Sequence, residues 1–261
     1  MNDLVVIRGA GDIASGIAAR LYNAKFKVIM LEISKPSSIR RKVSFSEAIY
    51  DNECVVEGIK ARKTNIDELD NILNAGEIPV LIDEDLKVLE VKSPKILVDA
   101  ILAKKNLGTN INMANIVIGV GPGFCAKKDV HAVIETSRGH DLGRVIYDGC
   151  AKLNTGIPGI IAGVGLDRVI YSQNDGVFNG VKQIGDIVKK GEIIAYVGKN
   201  EVLASIDGVL RGLIRDNFKV SANFKIADID PRIDEQKNCF SISDKARSVG
   251  GGVLEAIMHL M

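Results

Sequence analysis

The stretch Leu4-Val5-Val6-Ile7-Arg8-Gly9-Ala10-Gly11-Asp12-Ile13-Ala14-Ser15-Gly16 constrains the fold more than any other. An apolar run passes through a glycine-rich turn directly into a helical pattern. That order predicts the first strand–turn–helix unit of a dinucleotide-binding, Rossmann-like α/β domain. Gly9 allows the tight turn, and Gly11 lets the backbone approach a pyrophosphate. Ala14 stands in the third-glycine position, where helix and strand pack closely. The free backbone N–H groups at the helix start then face an anion, helped by the helix dipole.

The context strengthens the reading. Ala14, Ile17, Ala18 and Leu21 fall at i, i+3, i+4 and i+7, one face of a helix. Residues 27–32 read as a second strand ending in Glu32. This acid stands about 20 residues beyond Gly11, where a ribose would offer its 2′-hydroxyl. Asp12 is the awkward residue, because its carboxylate repels a pyrophosphate unless a cation or proton intervenes. A strand–helix–strand unit that binds nothing carries the same pattern.

With 261 residues and 46% hydrophobic content, the chain can build one large domain or two or three small ones. Lys and Arg number 34 against 33 Asp and Glu, and tryptophan is absent, so nucleic acid is not an expected partner. No apolar run approaches the length of a membrane span, and no signal peptide is visible. Cys54, Cys125, Cys150 and Cys239 are scattered with no C-x-x-C pair, which predicts reduced thiols in a cytoplasmic protein.

Residues 1–130 alternate between strand and helix patterns and predict an open sheet of about five strands, nearly all of them apolar, as a sheet covered on both faces requires. Arg40-Arg41-Lys42 follows the second strand and is either a solvated loop or a phosphate clamp. Gly121-Pro122-Gly123 ends the last strand and is either a wall of the site or an ordinary turn. Residues 131–172 read as a connecting region with a hairpin, whose polar tip holds Arg138 and His140. His131 and His140 lack a second ligand at metal spacing, so no metal site is expected. Asn154-Thr155-Gly156 offers backbone N–H groups to a ligand or serves as a turn.

Residues 173–232 hold two related halves. Gly176-Val177-Phe178 matches Gly208-Val209-Leu210, Val188 matches Val220, and Ile194-Ala195 matches Ile226-Ala227. Short strands in a two-fold repeat predict two interlocked halves forming a barrel-sandwich hybrid, a β-rich second domain that resembles biotinyl and lipoyl domains. The segment matching their modified hairpin is short and lacks flanking methionines, so neither Lys199 nor Lys189 is expected to carry a swinging arm. Residues 233–261 predict a helix capped at Ser243, a break at Gly250-Gly251-Gly252, and a final amphipathic helix that docks back.

These pieces together resemble the accessory proteins of the selenium-dependent molybdenum hydroxylase system (YqeB-type), and the amino-terminal part is similar to XdhC-type maturation proteins of xanthine dehydrogenase. The residues that carry the resemblance are 7–16, 40–48, Gly121-Pro122-Gly123-Phe124, 133–140, Asn154-Thr155-Gly156 and 242–256. The resemblance implies a role in maturing molybdenum hydroxylases, with NAD(P) or a molybdopterin-type cofactor in the crevice. Gly9, Ala10, Gly11, Asp12, Ile13 and Ala14 would line the phosphate site and Glu32 would meet a ribose. Arg40 and Arg41 would clamp phosphate, Gly121 and Gly123 would wall the site, and His140, Asn154 and Thr155 would face the ligand. The implied partners are a molybdenum hydroxylase or its maturation machinery and a nucleotide-like ligand; whether the chain forms a homo-oligomer stays open. Two other classes stay open: an NAD(P)-dependent oxidoreductase using His140 and Cys125 as acid and base, and a non-catalytic binding or scaffold module.

Overall fold

The computed structural model describes residues 3–154, 156 and 159–261. The chain separates into two compact units, one built from residues 1–36, 44–154 and 242–261, the other from 37–43 and 155–241. The predicted connecting region is therefore divided. Its hairpin belongs to the first unit, and its remainder belongs to the second.

In the first unit the strands are β1 (Leu4–Arg8), β2 (Lys27–Glu32), β3 (Glu53–Val56), β4 (Ile59–Thr64), β5 (Ile78–Ile82), β6 (Ile96–Asp99), β7 (Ile116–Val120), β8 (Cys125–Ala126), β9 (Ala132–Ile134), β10 (Val145–Ile146) and β11 (Gly149–Cys150). Its helices are α1 (Asp12–Asn23), α2 (Ala48–Asp51), α3 (Leu69–Asn74), α4 (Lys87–Lys92) and α5 (Asp244–Leu260). Nine strands form one sheet in the order β10-β9-β7-β6-β1-β2-β5-β4-β3. Every pairing from β9 across to β4 is parallel; the edge strands β10 and β3 pair antiparallel. The sheet is larger than the five strands expected, because the hairpin read in the connecting region adds β9 and β10 to it and residues 53–64 add β3 and β4. Val5, Val6 and Ile7 of β1 are fully buried, as the apolar run predicts for a strand covered on both faces.

Helices α1 and α5 lie side by side. A Cβ added at Gly16 would sit 2.6 Å from that of Ala246, and one at Gly250 would sit 3.0 Å from the Gly16 carbonyl oxygen. Contacts advance in the same sense along both helices, so the helices run parallel and start at the same end. Ser243 caps α5 by accepting from the Ala246 N–H at 3.1 Å. The helix then passes unbroken through Gly250-Gly251-Gly252, against the expectation of a break. Glycine is a poor helix former, but here it admits two neighbouring backbones.

Cys125 and Cys150 form a disulfide that ties β8 to β11, which corrects the expectation of four reduced thiols. Sequence spacing did not show this pair, because the two residues meet only through the fold. Cys54 and Cys239 are free, and burial pushes the Cys54 thiol up to about 12, which makes it unreactive. The bond closes a loop across a separation of 25 residues. Reduction with dithiothreitol should lower stability by about 3 kcal/mol. The Cys125→Ala/Cys150→Ala variant should match that value and lose its response to reductant in thermal unfolding.

The second unit holds β12 (Val169–Tyr171), β13 (Gly176–Gly180), β14 (Ile187–Val188), β15 (Ile193–Val197), β16 (Asn200–Leu203), β17 (Gly208–Leu213), β18 (Lys219–Val220) and β19 (Lys225–Asp230). The repeat read from the sequence is visible as structure. Strands β13, β14 and β15 recur as β17, β18 and β19. They form two antiparallel sheets, β12-β19-β17-β14 and β16-β15-β13-β18. Each half lends one strand to the other: β14 pairs with β17, and β18 with β13. Phe178, Ile194, Leu210 and Ile226 fill the shared core, so neither half buries its apolar face alone. Strand β12 follows a short 3-10 turn at Leu166–Arg168.

Candidate functional site

In an open α/β sheet, ligands sit beyond the carboxyl ends of the strands, at the point where neighbouring connections diverge. Here that point lies between β1, whose chain continues into α1 and β2, and β6 on its other side. Asp99, at the end of β6, accepts from Arg8 Nη1 at 3.3 Å, Thr109 Oγ1 at 2.6 Å and the Ile101 N–H at 3.2 Å. Arg8 Nη1 also donates to the Leu107 carbonyl at 3.1 Å. This network joins the end of β1 to the loop that leaves β6.

The glycine-rich turn divides into a sealed part and an open part. Gly9 has φ +107°, and a Cβ there would lie 3.0 Å from the Ala100 carbonyl oxygen, so the tight turn requires glycine. Ala10 is fully buried, and its N–H donates to Glu32 Oε2 at 2.9 Å. The Ala10 carbonyl accepts from the Ser46 N–H at 2.9 Å and from Ser15 Oγ at 3.2 Å. Ile13 and Ala14 are buried against the sheet. Only Gly11 and Asp12 are part-exposed, and nothing lies within 4 Å of the point a Gly11 Cβ would occupy. Gly11 is the N-cap of α1 with extended backbone and no capping side chain, so the first N–H groups of the helix lack a side-chain partner. The anion-facing surface is thus narrower than the sequence indicates: Gly11 and Asp12 meet solvent, whereas Ala10 does not.

Both Glu32 oxygens are engaged, by Ala10 and by the Ile33 N–H at 2.9 Å. Burial pushes its carboxyl above the ordinary glutamate value, against the pull of those two N–H bonds. The folded protein therefore holds this proton more tightly than the unfolded chain. Its contribution to stability is present below the ordinary glutamate value and lost as pH rises through the folded one. Glu32→Gln should flatten that part of the stability profile above about pH 4.5, measured by urea unfolding across pH.

Other expected site residues are placed differently. Arg40 and Arg41 belong to the second unit. Arg40 is buried and donates to the carbonyls of Asn238 at 2.9 Å and Ser241 at 3.3 Å; Arg41 Nε donates to the Leu213 carbonyl at 2.8 Å. These bonds fasten residues 37–43 to their own unit and replace the phosphate contacts expected of the two guanidiniums. Gly121 and Gly123 take φ of +82° and +107°, and Cβ atoms there would crowd Thr136 Oγ1 and Lys105 Cα. Positive φ accounts for both glycines, together with the packed Thr136 side chain at Gly121 and the Lys105 backbone at Gly123. His140 is exposed at the hairpin tip and Asn154 is exposed at the end of its segment. Thr155 lies outside the described residues. His131 Nδ1 accepts from the Val117 N–H at 2.9 Å, a structural role. Cys125, held in the disulfide, has no thiol to act as acid or base.

The fold adds residues that the sequence reading passed over. Glu135, almost fully buried after β9, accepts from the N–H groups of Thr136 and Ser137 at 2.7 Å and of Lys152 at 2.9 Å. It rigidifies the turn that carries Arg138. Arg138 then grips Asp244, at the start of α5, through two bonds of 2.8 and 3.3 Å. The next residue, Lys245, lies within electrostatic reach of Asp12. An acid closing an apolar strand before a polar tip was the available signal for Glu135. Nothing local marks Lys245.

No family model matches the chain. It is 53% identical over 261 residues, 100% of its length, to the uncharacterized protein YqeB of Escherichia coli (strain K12), of which it spans 48%. Among solved structures it aligns with the product-bound ectoine utilization protein EutE (DoeB) from Ruegeria pomeroyi at 10% identity and a TM-score of 0.24, covering 87% of this chain and 57% of that one. It also aligns with a succinylglutamate desuccinylase from Silicibacter sp. TM1040 at 11% identity and a TM-score of 0.27, covering 87% and 84%. The chain is a close homologue of YqeB along its whole length, and it corresponds to about half of that protein.

Proposed function

We propose that this chain serves the maturation of selenium-dependent molybdenum hydroxylases, with a Rossmann-like first unit that binds a nucleotide, such as NAD(P), or the molybdenum cofactor by its phosphate. The observation that carries the reading is the open space in front of Gly11, at the uncapped start of α1 and beside the divergence of β1 and β6. The donor set fits a phosphate: first-turn N–H groups, a half-exposed glycine and no Cβ to obstruct approach. Glu32, at the end of β2, stands where an adjoining ribose would be met. The second unit is read as a barrel-sandwich hybrid without a carrier arm. It serves docking on the hydroxylase or its maturation machinery.

The test is calorimetry of purified protein with NAD, NADP and isolated molybdenum cofactor. At least one should bind. Gly11→Val, which fills the open space without demanding an unusual φ, should weaken that binding at least tenfold, while the poorer N-cap lowers stability by about 1 kcal/mol at most. Absence of binding to all three would sink the proposal.

A further inference from the structure

The disulfide between Cys125 and Cys150 lies in the first unit and plays no part in the function proposed above. Strands β8 and β11 hold two residues each. Cys150 stands directly opposite Cys125 in their antiparallel pairing, with the Cα atoms 4.0 Å apart. Cys150 is exposed and Cys125 is half-buried. A thiolate from solution therefore reaches Cys150 Sγ more readily, and Cys125 is the sulfur that leaves.

The bond pins a short segment. Among the described residues, β11 pairs with β8 alone. The ion pair Lys127–Asp148 joins the same two strand ends, but both side chains are exposed and such a pair contributes little. Just beyond Cys150, Ala151 is buried in an apolar cluster with Val130 and Val133, and the Lys152 N–H donates to Glu135 Oε2 at 2.9 Å. Glu135 also accepts from the Thr136 and Ser137 N–H groups, which fixes the turn that carries Arg138. The disulfide thus holds in place a donor to the carboxylate that orders this turn.

We propose that Cys125–Cys150 is a site of thiol–disulfide exchange with a dithiol, attacked at Cys150, and that its opening frees residues 149–154 and withdraws the Lys152 N–H from Glu135. In the first step a thiolate of the dithiol bonds to Cys150 Sγ, the Cys125–Cys150 bond breaks, and Cys125 leaves as a thiolate that takes a proton from water. In the second, the other thiol of the reductant, as its thiolate, attacks its own sulfur in the mixed disulfide and expels Cys150, which is protonated in turn. Two electrons pass from the dithiol, which ends as a disulfide, to the protein, which ends with two thiols. The register selects the dithiol class. Cys125 faces Cys150 and returns the attack of a monothiol, expelling it, whereas a second thiol on the same reductant competes with that return. The two remaining cysteines do not resolve the adduct. Burial pushes the Cys54 thiol up to about 12 and raises that of Cys239, so neither supplies a thiolate.

The experiment treats the native full chain with dithiothreitol, a dithiol, or glutathione, a monothiol, at equal thiol concentration. Free thiols are then blocked with N-ethylmaleimide and located by mass spectrometry. Dithiothreitol should open the bond about tenfold faster than glutathione, with circular dichroism unchanged. Offered oxidised glutathione, Cys125→Ser should take up the adduct at Cys150 about tenfold faster than Cys150→Ser takes it up at Cys125. If either variant does not fold, the order of N-ethylmaleimide labelling in reduced wild-type protein, Cys150 before Cys125, replaces that comparison. Hydrogen exchange at the Lys152 amide should quicken about tenfold on reduction and be insensitive to low urea, the mark of an opening smaller than global unfolding. A bond that dithiothreitol opens only in denaturant overturns the exchange site. Equal rates with the two reductants overturn the dithiol class, and equal or reversed reactivity of the two cysteines overturns attack at Cys150. A Lys152 amide unchanged by reduction overturns the release of the segment.

Discussion

Gly252→Ala should destabilise the protein by about 2 kcal/mol in urea unfolding, whereas Gly251→Ala should stabilise it by about 0.5–1 kcal/mol. Helix propensity alone gives both substitutions the same favourable sign, because alanine loses less backbone entropy than glycine on entering a helix. Packing separates them. A Cβ at Gly252 would overlap the carbonyl oxygen of Gly143, and backbone cannot retreat as a flexible side chain can. At Gly251 nothing lies within 4 Å of the new atom. Overpacking in a close contact costs about 1–3 kcal/mol and outweighs the propensity gain at the first site only. Gly143 itself closes the hairpin, donating to the Glu135 carbonyl at 2.9 Å, so displacing it also loosens the turn that carries Arg138. If both variants moved stability in the same direction, the close packing of α5 on the hairpin would be refuted.

Asp99→Leu should cost about 3–5 kcal/mol, the larger of the expected effects. Asp99 is 2% exposed and the Arg8 side chain 14% exposed, so removal of the carboxylate leaves a guanidinium in poor contact with water. It also strands the Thr109 hydroxyl, which donates to the carboxylate at 2.6 Å. The pair itself need not be a net source of stability, since desolvation offsets much of the attraction. Arg8→Met added to Asp99→Leu should therefore recover at least half of the loss. Urea unfolding of the two single variants and the double one forms the cycle. A double variant as unstable as the sum of the singles would show that the network acts through its separate bonds and not as an ion pair. Because Arg8 immediately precedes Gly9, the same variants should raise amide exchange in the loop after β6 before global unfolding.

The glycine-rich turn was legible because its chemistry is local. A strand, a tight turn and a helix start occupy consecutive residues, and each needs only its neighbours to be specified. The repeat in the second unit was legible for a related reason. Like halves impose like patterns, and β13 to β15 recur as β17 to β19 where the sequence places them. The exchange of β14 and β18 between halves is a matter of pairing, but the need for each half to bury its face against the other follows from size.

Much of the candidate site was not legible. Arg40 and Arg41 followed the second strand in sequence, yet their carbonyl partners lie at Asn238, Ser241 and Leu213, about 170 to 200 residues away. The Cys125–Cys150 bond likewise depends on β8 meeting β11. Gly250-Gly251-Gly252 read as a helix break because propensity counts only the helix's own backbone, and the reason for Gly250 and Gly252 is the approach of Gly16 and Gly143.

The sequence by itself determined the strand–turn–helix opening, the covered parallel sheet, the two-fold repeat and the capped start of the last helix, all of which rest on periodicity and short-range hydrogen bonding. Only the tertiary structure decided that Ala10 is sealed and Gly11 open, and that Asp99 locks Arg8. Those outcomes depend on which distant groups share a low-dielectric space, and no local pattern along a chain records that.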